Sequence, residues 1–172
     1  MPEGHTLHRL AGEIADRFGG RRVRTTSPQG RFAASAALLD GALLRGAEAV
    51  GKHLFLEFSR RRFVHIHLGL YGDLRFGTGP APPPRGAVRL RVSTRSAYAD
   101  LRGPNRCELV APAERELVLA RLGPDPLRPE EDSAERVWAR TSRSRTPIGV
   151  LLMQQDVLAG ASLSLNTGAQ AA

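Results

Sequence analysis

Lysine is almost absent from this chain. Lysine and arginine together number 25 against 17 acids, for a formal charge of +8 and a sequence pI near 11.2, yet Lys52 is the sole lysine. Cysteine is equally scarce: Cys107 alone excludes an internal disulfide and a zinc site built from several thiolates of this chain, and it suits a reducing compartment. No apolar run approaches the ~20 residues that cross a bilayer. The N-terminus carries Glu3 and Asp16 where a secretory signal has basic residues followed by an apolar stretch. These absences exclude a disulfide-stapled secreted module and a helical membrane protein, and lead us to expect a soluble cytoplasmic protein with no membrane partner.

What is present is a globular composition. The 41% of hydrophobic residues supply apolar surface to offset chain entropy, and 172 residues suffice for one good-sized domain or two small ones. The basic excess suits a polyanion such as nucleic acid, although an arginine-rich habit also simply solubilises a surface.

Hydrophobic spacing divides the chain. Leu7, Leu10, Ala11, Ile14 and Phe18 recur at three and four residues and predict an amphipathic helix over about 6–18, ended by Gly19 and Gly20. Short strand-like segments follow: 21–27, 43–50, a hairpin of 53–58 with 63–68 around a basic turn, 74–76, and a second hairpin of 88–93 with 96–101. From Ala113 the pattern becomes helical, with helices expected over 114–122, over 133–141 with Val137 and Trp138 inward, and over 148–158 behind Pro147 with Val150, Leu151, Met153 and Val157 buried. The expected fold class is therefore α+β: an N-terminal helix plus β-sandwich over residues 1–110, then a partial helical segment over 111–172. The last stretch, from Gly160 to Ala172, is small, uncharged and aperiodic.

Several residues have chemistry of their own. Removal of Met1 would leave Pro2 as a secondary amine, and α-amino groups titrate at about 7.7–8, close enough to neutrality for nucleophilic attack on a sugar carbon. Glu3 and Gly4 follow it, although proline in second position is also an ordinary terminus. Lys52, in Gly51-Lys52-His53, is a compact ammonium able to hold a phosphate or move a proton, or else a solvated surface lysine. In HIHLGLYG, glycines frame Leu70 and Tyr71, a pair suited either to wedging into a base stack or to the core; His65 and His67 have two-residue metal spacing with no third ligand in sequence. Arg106 in a turn over 101–107, and Gln29 and Arg31 in a polar loop, could reach bases or phosphates or remain solvated.

Together these segments resemble the Fpg/Nei family of DNA glycosylase/AP lyases, and most closely its endonuclease VIII side. PEGH at 2–5, GKHLF at 51–55, HLGLYG at 67–72, LGPDPL at 122–127 and PIGVLLMQQDVLAG at 147–160 stand in the family's order. The resemblance implies a base-excision-repair enzyme acting on damaged DNA as a monomer. In it Pro2 is the nucleophile that forms an iminium at C1′ and permits β- and δ-elimination, Glu3 assists ring opening and proton transfer, and Lys52 contacts phosphate. Leu70 and Tyr71 would fill the space left by a flipped base, and Arg106 would approach the opposite strand.

The resemblance ends at Gly160. There the family continues with a glycine-asparagine pair opening the second helix of a helix-two-turns-helix motif; here Ala161 to Ser164 stand instead, and Asn166 comes three residues late. The family's C-terminal zinc finger has no counterpart, so no cofactor is expected in this chain. A product truncated at its C-terminus is the expectation, with a frameshift after residue 160 as one origin. A catalytically silent remnant that at most binds nucleic acid nonspecifically is the alternative function.

Overall fold

The computed structural model describes residues 3–161. Its first helix, α1, is Gly4–Phe18 and buries Leu7, Leu10, Ala11, Ile14 and Phe18, the stripe that the spacing predicts. The strands are β1 (Arg21–Arg22), β2 (Arg24–Thr26), β3 (Leu43–Val50), β4 (His53–Phe58), β5 (Arg62–His67), β6 (Asp73–Thr78), β7 (Val88–Ser93), β8 (Ala97–Arg102) and β9 (Arg106–Val110). Helix α2 is Ala33–Leu39; α3 (Pro112–Leu119), α4 (Ser133–Thr141) and α5 (Ile148–Leu151) follow the last strand.

Two antiparallel sheets form the sandwich, one ordered β1-β3-β4-β5-β9 and the other β2-β7-β8-β6. Alternation sends Leu54, Leu56 and Phe58 of β4 and Val64 and Ile66 of β5 inward to meet Leu90, Val92, Ala99 and Leu101 of the second sheet, with α1 in the same core. Packing is close: the residual cavity among Ile14, Leu56, Ile66, Leu74, Leu90, Val92, Ala99 and Leu101 is about 10 Å³, below the room a water needs. At ~1.5–3 kcal/mol for each fully buried large aliphatic side chain, this layer is the main source of the domain's stability. Within the second sheet, Arg91 grips Asp100 with two hydrogen bonds of 2.6 and 2.8 Å and ties down the 79–86 loop through the Pro82 carbonyl at 2.5 Å.

Four expectations need correction. The strand expected over 21–27 is two strands in different sheets, because Val23 turns into the core and hands the chain from β3 to β7. Arg106 is not in a turn: it opens β9 opposite His67, and the turn is confined to 103–105. In α4 the bounds are as expected and Val137 is half-buried, but Trp138 is 71% exposed. The helix expected over 148–158 lasts four residues, leaving Val150 exposed while Leu151 and Val157 are buried. There, Gln155 bonds outside the helix, its amide reaching Gly160 N and Ala161 O at 2.9 and 3.1 Å and its carbonyl accepting Gly123 N at 2.8 Å. Those contacts favour turns over a further helical ladder. Pro2 and the segment 162–172, including Asn166, lie outside the described residues.

Candidate active site

One end of the sandwich gathers the chain's chemistry. The β3–β4 turn at 51–52, the tip at 69–72 after β5, the 103–105 turn before β9 and the head of α1 all fall there, because antiparallel register places Val50 opposite His53 and His67 opposite Arg106. The 27–31 loop comes to the same end of the second sheet: Gln29 N donates to Val88 O at 2.9 Å, and Arg89 Nε donates to the Gln29 side chain at 3.0 Å. Gln29 is thereby tied to β7, and Arg31 is exposed.

Glu3 caps α1 in extended conformation, its carbonyl accepting Thr6 N and Leu7 N at 3.0 and 3.2 Å. Its side chain is largely shielded from solvent, with His5 Nδ1 at 3.7 Å. Three glycines bring this terminus against the lysine turn. Gly4 N donates to Gly160 O at 3.2 Å, and a Cβ on Gly51, whose φ is +57°, would stand 2.9 Å from Ala159 Cβ and 3.0 Å from Gly160 N. Only glycine allows both that approach and that backbone.

Asp125, from the Gly-Pro-Asp-Pro loop, locks the arrangement. Buried at 5% exposure, its Oδ2 accepts Gly51 N at 2.7 Å and stands 2.9 Å from His8 Nε2, while Oδ1 accepts Leu127 N at 2.9 Å. One carboxylate therefore joins α1, the turn preceding Lys52 and the helical segment. Burial lowers the Lys52 pKa and the Glu3 carboxylate partly restores it, so the two groups feel one another directly.

Beside Lys52 lies a histidine cluster. His53 Nδ1 and His65 Nε2 share a hydrogen bond of 2.8 Å, His65 stacks on Phe55 at 4.6 Å, and the His53 and His67 rings are 5.3 Å apart. Burial, then neighbouring His67 and Arg106, pushes His53 down to about 4; burial, then His53 and Arg106, pushes His65 down to about 3. Both are neutral at physiological pH. His67 is also lowered, by burial first and then by Arg106 and Lys52. Among the described residues no group of three His, Cys, Asp or Glu side chains is placed to hold a metal ion. No described helix is long and apolar enough to cross a membrane.

Leu70 and Tyr71 project from the tip at 55% and 85% exposure, so the core alternative does not hold. The tip is braced by its neighbour: Gly69 has φ +70°, and a Cβ there would fall 2.3 Å from the Asn105 side chain. Arg106, at the base of both turns, is half exposed with Glu108 at 3.7 Å. The structure thus brings Glu3 and Lys52 together and sets Leu70, Tyr71 and Arg106 along the same end. Asp125, Gln155 and the pairing of His65 with His53 are the features that sequence reading does not single out. The one signal for Asp125 is its place inside the LGPDPL motif.

A model of the formamidopyrimidine-DNA glycosylase N-terminal domain matches residues 1–107. Endonuclease 8 1 of Mycobacterium tuberculosis is 50% identical over 164 residues, covering 93% of this chain and 61% of the relative. Formamidopyrimidine-DNA glycosylase of Acidiphilium cryptum is 28% identical, with the same 93% and 61% covered, so the chain spans 61% of the length of both. Among solved structures, wild-type Lactococcus lactis Fpg (MutM) in complex with N7-benzyl-Fapy-dG containing DNA superposes with a TM-score of 0.79 at 19% identity, over 94% of this chain and 63% of that one. MutM in complex with carbocyclic 8-oxo-G containing DNA gives 0.76 at 19% identity, over 94% and 65%. Both likenesses are of fold.

Proposed function

This chain belongs to the formamidopyrimidine-DNA glycosylase/endonuclease VIII family, and from that premise we propose that it excises oxidised bases from DNA and cleaves the resulting abasic strand. After removal of Met1, the Pro2 nitrogen attacks C1′ of the damaged nucleotide. The glycosidic bond breaks, the base leaves with the bonding pair and takes up a proton, and the opened sugar is held as an iminium. Glu3 supplies and withdraws the proton at the ring oxygen. Loss of a proton from C2′ then expels the 3′ phosphate, and a second elimination expels the 5′ phosphate. Lys52 holds a backbone phosphate beside the reacting sugar. Leu70 and Tyr71 fill the stack that the extruded nucleotide leaves, with Arg106, Gln29 and Arg31 as further DNA contacts on the same end.

The observation that carries this reading is the convergence of Glu3 and Lys52 at the head of α1, fixed by Asp125 and by the Gly4–Gly160 contact. The test is borohydride trapping on duplexes containing an oxidised pyrimidine or an abasic site. A covalent adduct is expected from the free N-terminus and none from an N-acetylated chain. Absence of an adduct at high protein concentration and low salt would overturn the reading.

A second reading, nucleic-acid binding without turnover, is favoured by the exposure of Trp138, Ile148 and Val150 in the helical segment. It predicts retention of abasic duplex in a salt-dependent complex that borohydride does not fix. An adduct excludes it.

A further inference from the structure

The end of the sandwich opposite Lys52 carries a second basic surface that the proposed chemistry does not use. The handover from β1 to β2 places Arg21, Arg22 and Arg24 there, with Arg24 paired to Ser93, and the β7–β8 turn adds Thr94, Arg95 and Ser96. With Pro80 and Ala81 these residues line a cavity of about 850 Å³ that has no acidic side chain in its wall. Arg21, Arg24 and Arg95 are exposed, and Arg22 is steadied by donating to Gly41 O at 3.0 Å.

The walls are ordered. Thr94 Oγ1 accepts Ser96 N and Ala97 N at 3.3 and 3.2 Å, and Gly79 N donates to Ser96 O at 2.7 Å, fastening the proline-rich loop to the turn. Arg60 and Arg61, with φ of 62° and 53°, form the β4–β5 turn at the same end and extend the positive field. Elsewhere arginines meet acids: Arg115 and Arg128 hold Glu48, Arg91 holds Asp100, and Arg136 holds Glu130. Guanidinium groups interleaved with hydroxyls on an ordered backbone match a phosphate backbone, which offers regularly spaced anionic oxygens and accepts hydrogen bonds from both.

Distance separates this surface from the head. Helix α1 runs from one end to the other, and its 15 residues span about 22 Å at ~1.5 Å per residue. We infer that the cavity formed by Arg21, Arg24, Arg95 and their neighbours binds the phosphate backbone of a second duplex DNA segment while the head holds the first. The inference rests on the proposed function only in taking DNA as the polyanion. A two-ended protein of this kind passes between neighbouring duplexes without full release, an advantage when most DNA is undamaged.

Two undamaged duplexes too short to reach both ends, one labelled with an energy donor and the other with an acceptor, test the inference with the full chain at low salt. Energy transfer is expected in the wild type and should fall by about tenfold or more in Arg21→Ser/Arg24→Ser/Arg95→Ser. The slope of log binding constant against log salt should shrink by roughly 2.7, about 0.9 for each of three lost contacts. Arg9→Ser/Arg121→Ser/Arg136→Ser removes the same charge elsewhere and should keep both signals. Equal transfer in the first variant and wild type, or an equal loss in both variants, overturns the inference. Borohydride trapping in parallel separates the two claims: loss of bridging with trapping intact identifies the second surface, whereas bridging without trapping in the wild type defeats the enzymatic reading alone.

Discussion

Among the described residues of the proposed site, Lys52 is the amine whose ionisation burial and Glu3 set between them. Burial lowers its pKa against the restoring charge of Glu3, so the ammonium loses its proton at a lower pH than an exposed lysine does. Phosphate holding by the charged form should weaken as pH rises through that lowered value. In Lys52→Arg the charge persists, so KM should stay flat on the alkaline side while kcat falls because a planar guanidinium does not reproduce the contacts of a compact ammonium. Parallel alkaline limbs in KM would contradict this. His53 and His65 have the opposite pH sense. Their folded pKa values, about 4 and about 3, lie below the ordinary 6.5, so their contribution to stability is complete above 6.5 and is lost as pH falls toward the folded values. His65→Phe keeps a ring against Phe55 and removes one buried imidazole. Its melting temperature should decline less steeply between pH 6.5 and about 4 than the wild type's, and an unchanged acid dependence would refute the assignment.

At the scale of elements, the Gly-Pro-Asp-Pro loop determines where Lys52 stands. Asp125→Asn can keep the Leu127 bond but sets an amide donor where Gly51 N needs an acceptor. Leaving that buried donor unpaired costs ~1–3 kcal/mol, readable in urea unfolding, and the trapping rate should fall with it. Unchanged stability would show that Asp125 is not the lock. The tip behaves differently: Leu70→Ala/Tyr71→Ala removes exposed side chains, so stability should move by no more than about 0.5 kcal/mol. Excision from duplex DNA should drop by ~10-fold or more, on the scale of lost base stacking. A single-stranded abasic substrate should be cleaved at the wild-type rate, and an equal loss on both would contradict void filling. These elements differ in how far the sequence reveals them. Helix α1 is legible because its apolar stripe is buried intact, and strands β4, β5, β7 and β8 because apolar residues recur at every second position and face the core. Strand β9 and helix α2 are not, since Arg106 to Val110 buries only Cys107 and Val110, which do not alternate, and Ala33 to Leu39 offers only Ala36 and Leu39 to the core. The truncated α5 is hidden for a further reason: Gln155 chooses tertiary partners that local spacing does not encode.

Across the whole molecule, Glu3, Lys52 and the Leu70-Tyr71 tip come from distant parts of the chain and meet because the register of one sheet ends the last two at the pole where α1 begins. That pole was legible through motif order; the bonds that hold it were not, because a carboxylate shared by His8, Gly51 and Leu127 leaves no periodic trace. Composition sharpens the central claim to two atoms. With a single lysine, only the N-terminal nitrogen and Lys52 Nζ are amines able to form an iminium with an opened sugar. The most direct measurement is therefore peptide mass mapping of the borohydride-fixed adduct after digestion at arginine. The sugar remnant should lie on the N-terminal peptide that begins at Pro2 and ends at Arg9, leaving the Lys52 peptide unmodified. A remnant on Lys52, or an unmodified N-terminal peptide in a trapped complex, would contradict the account.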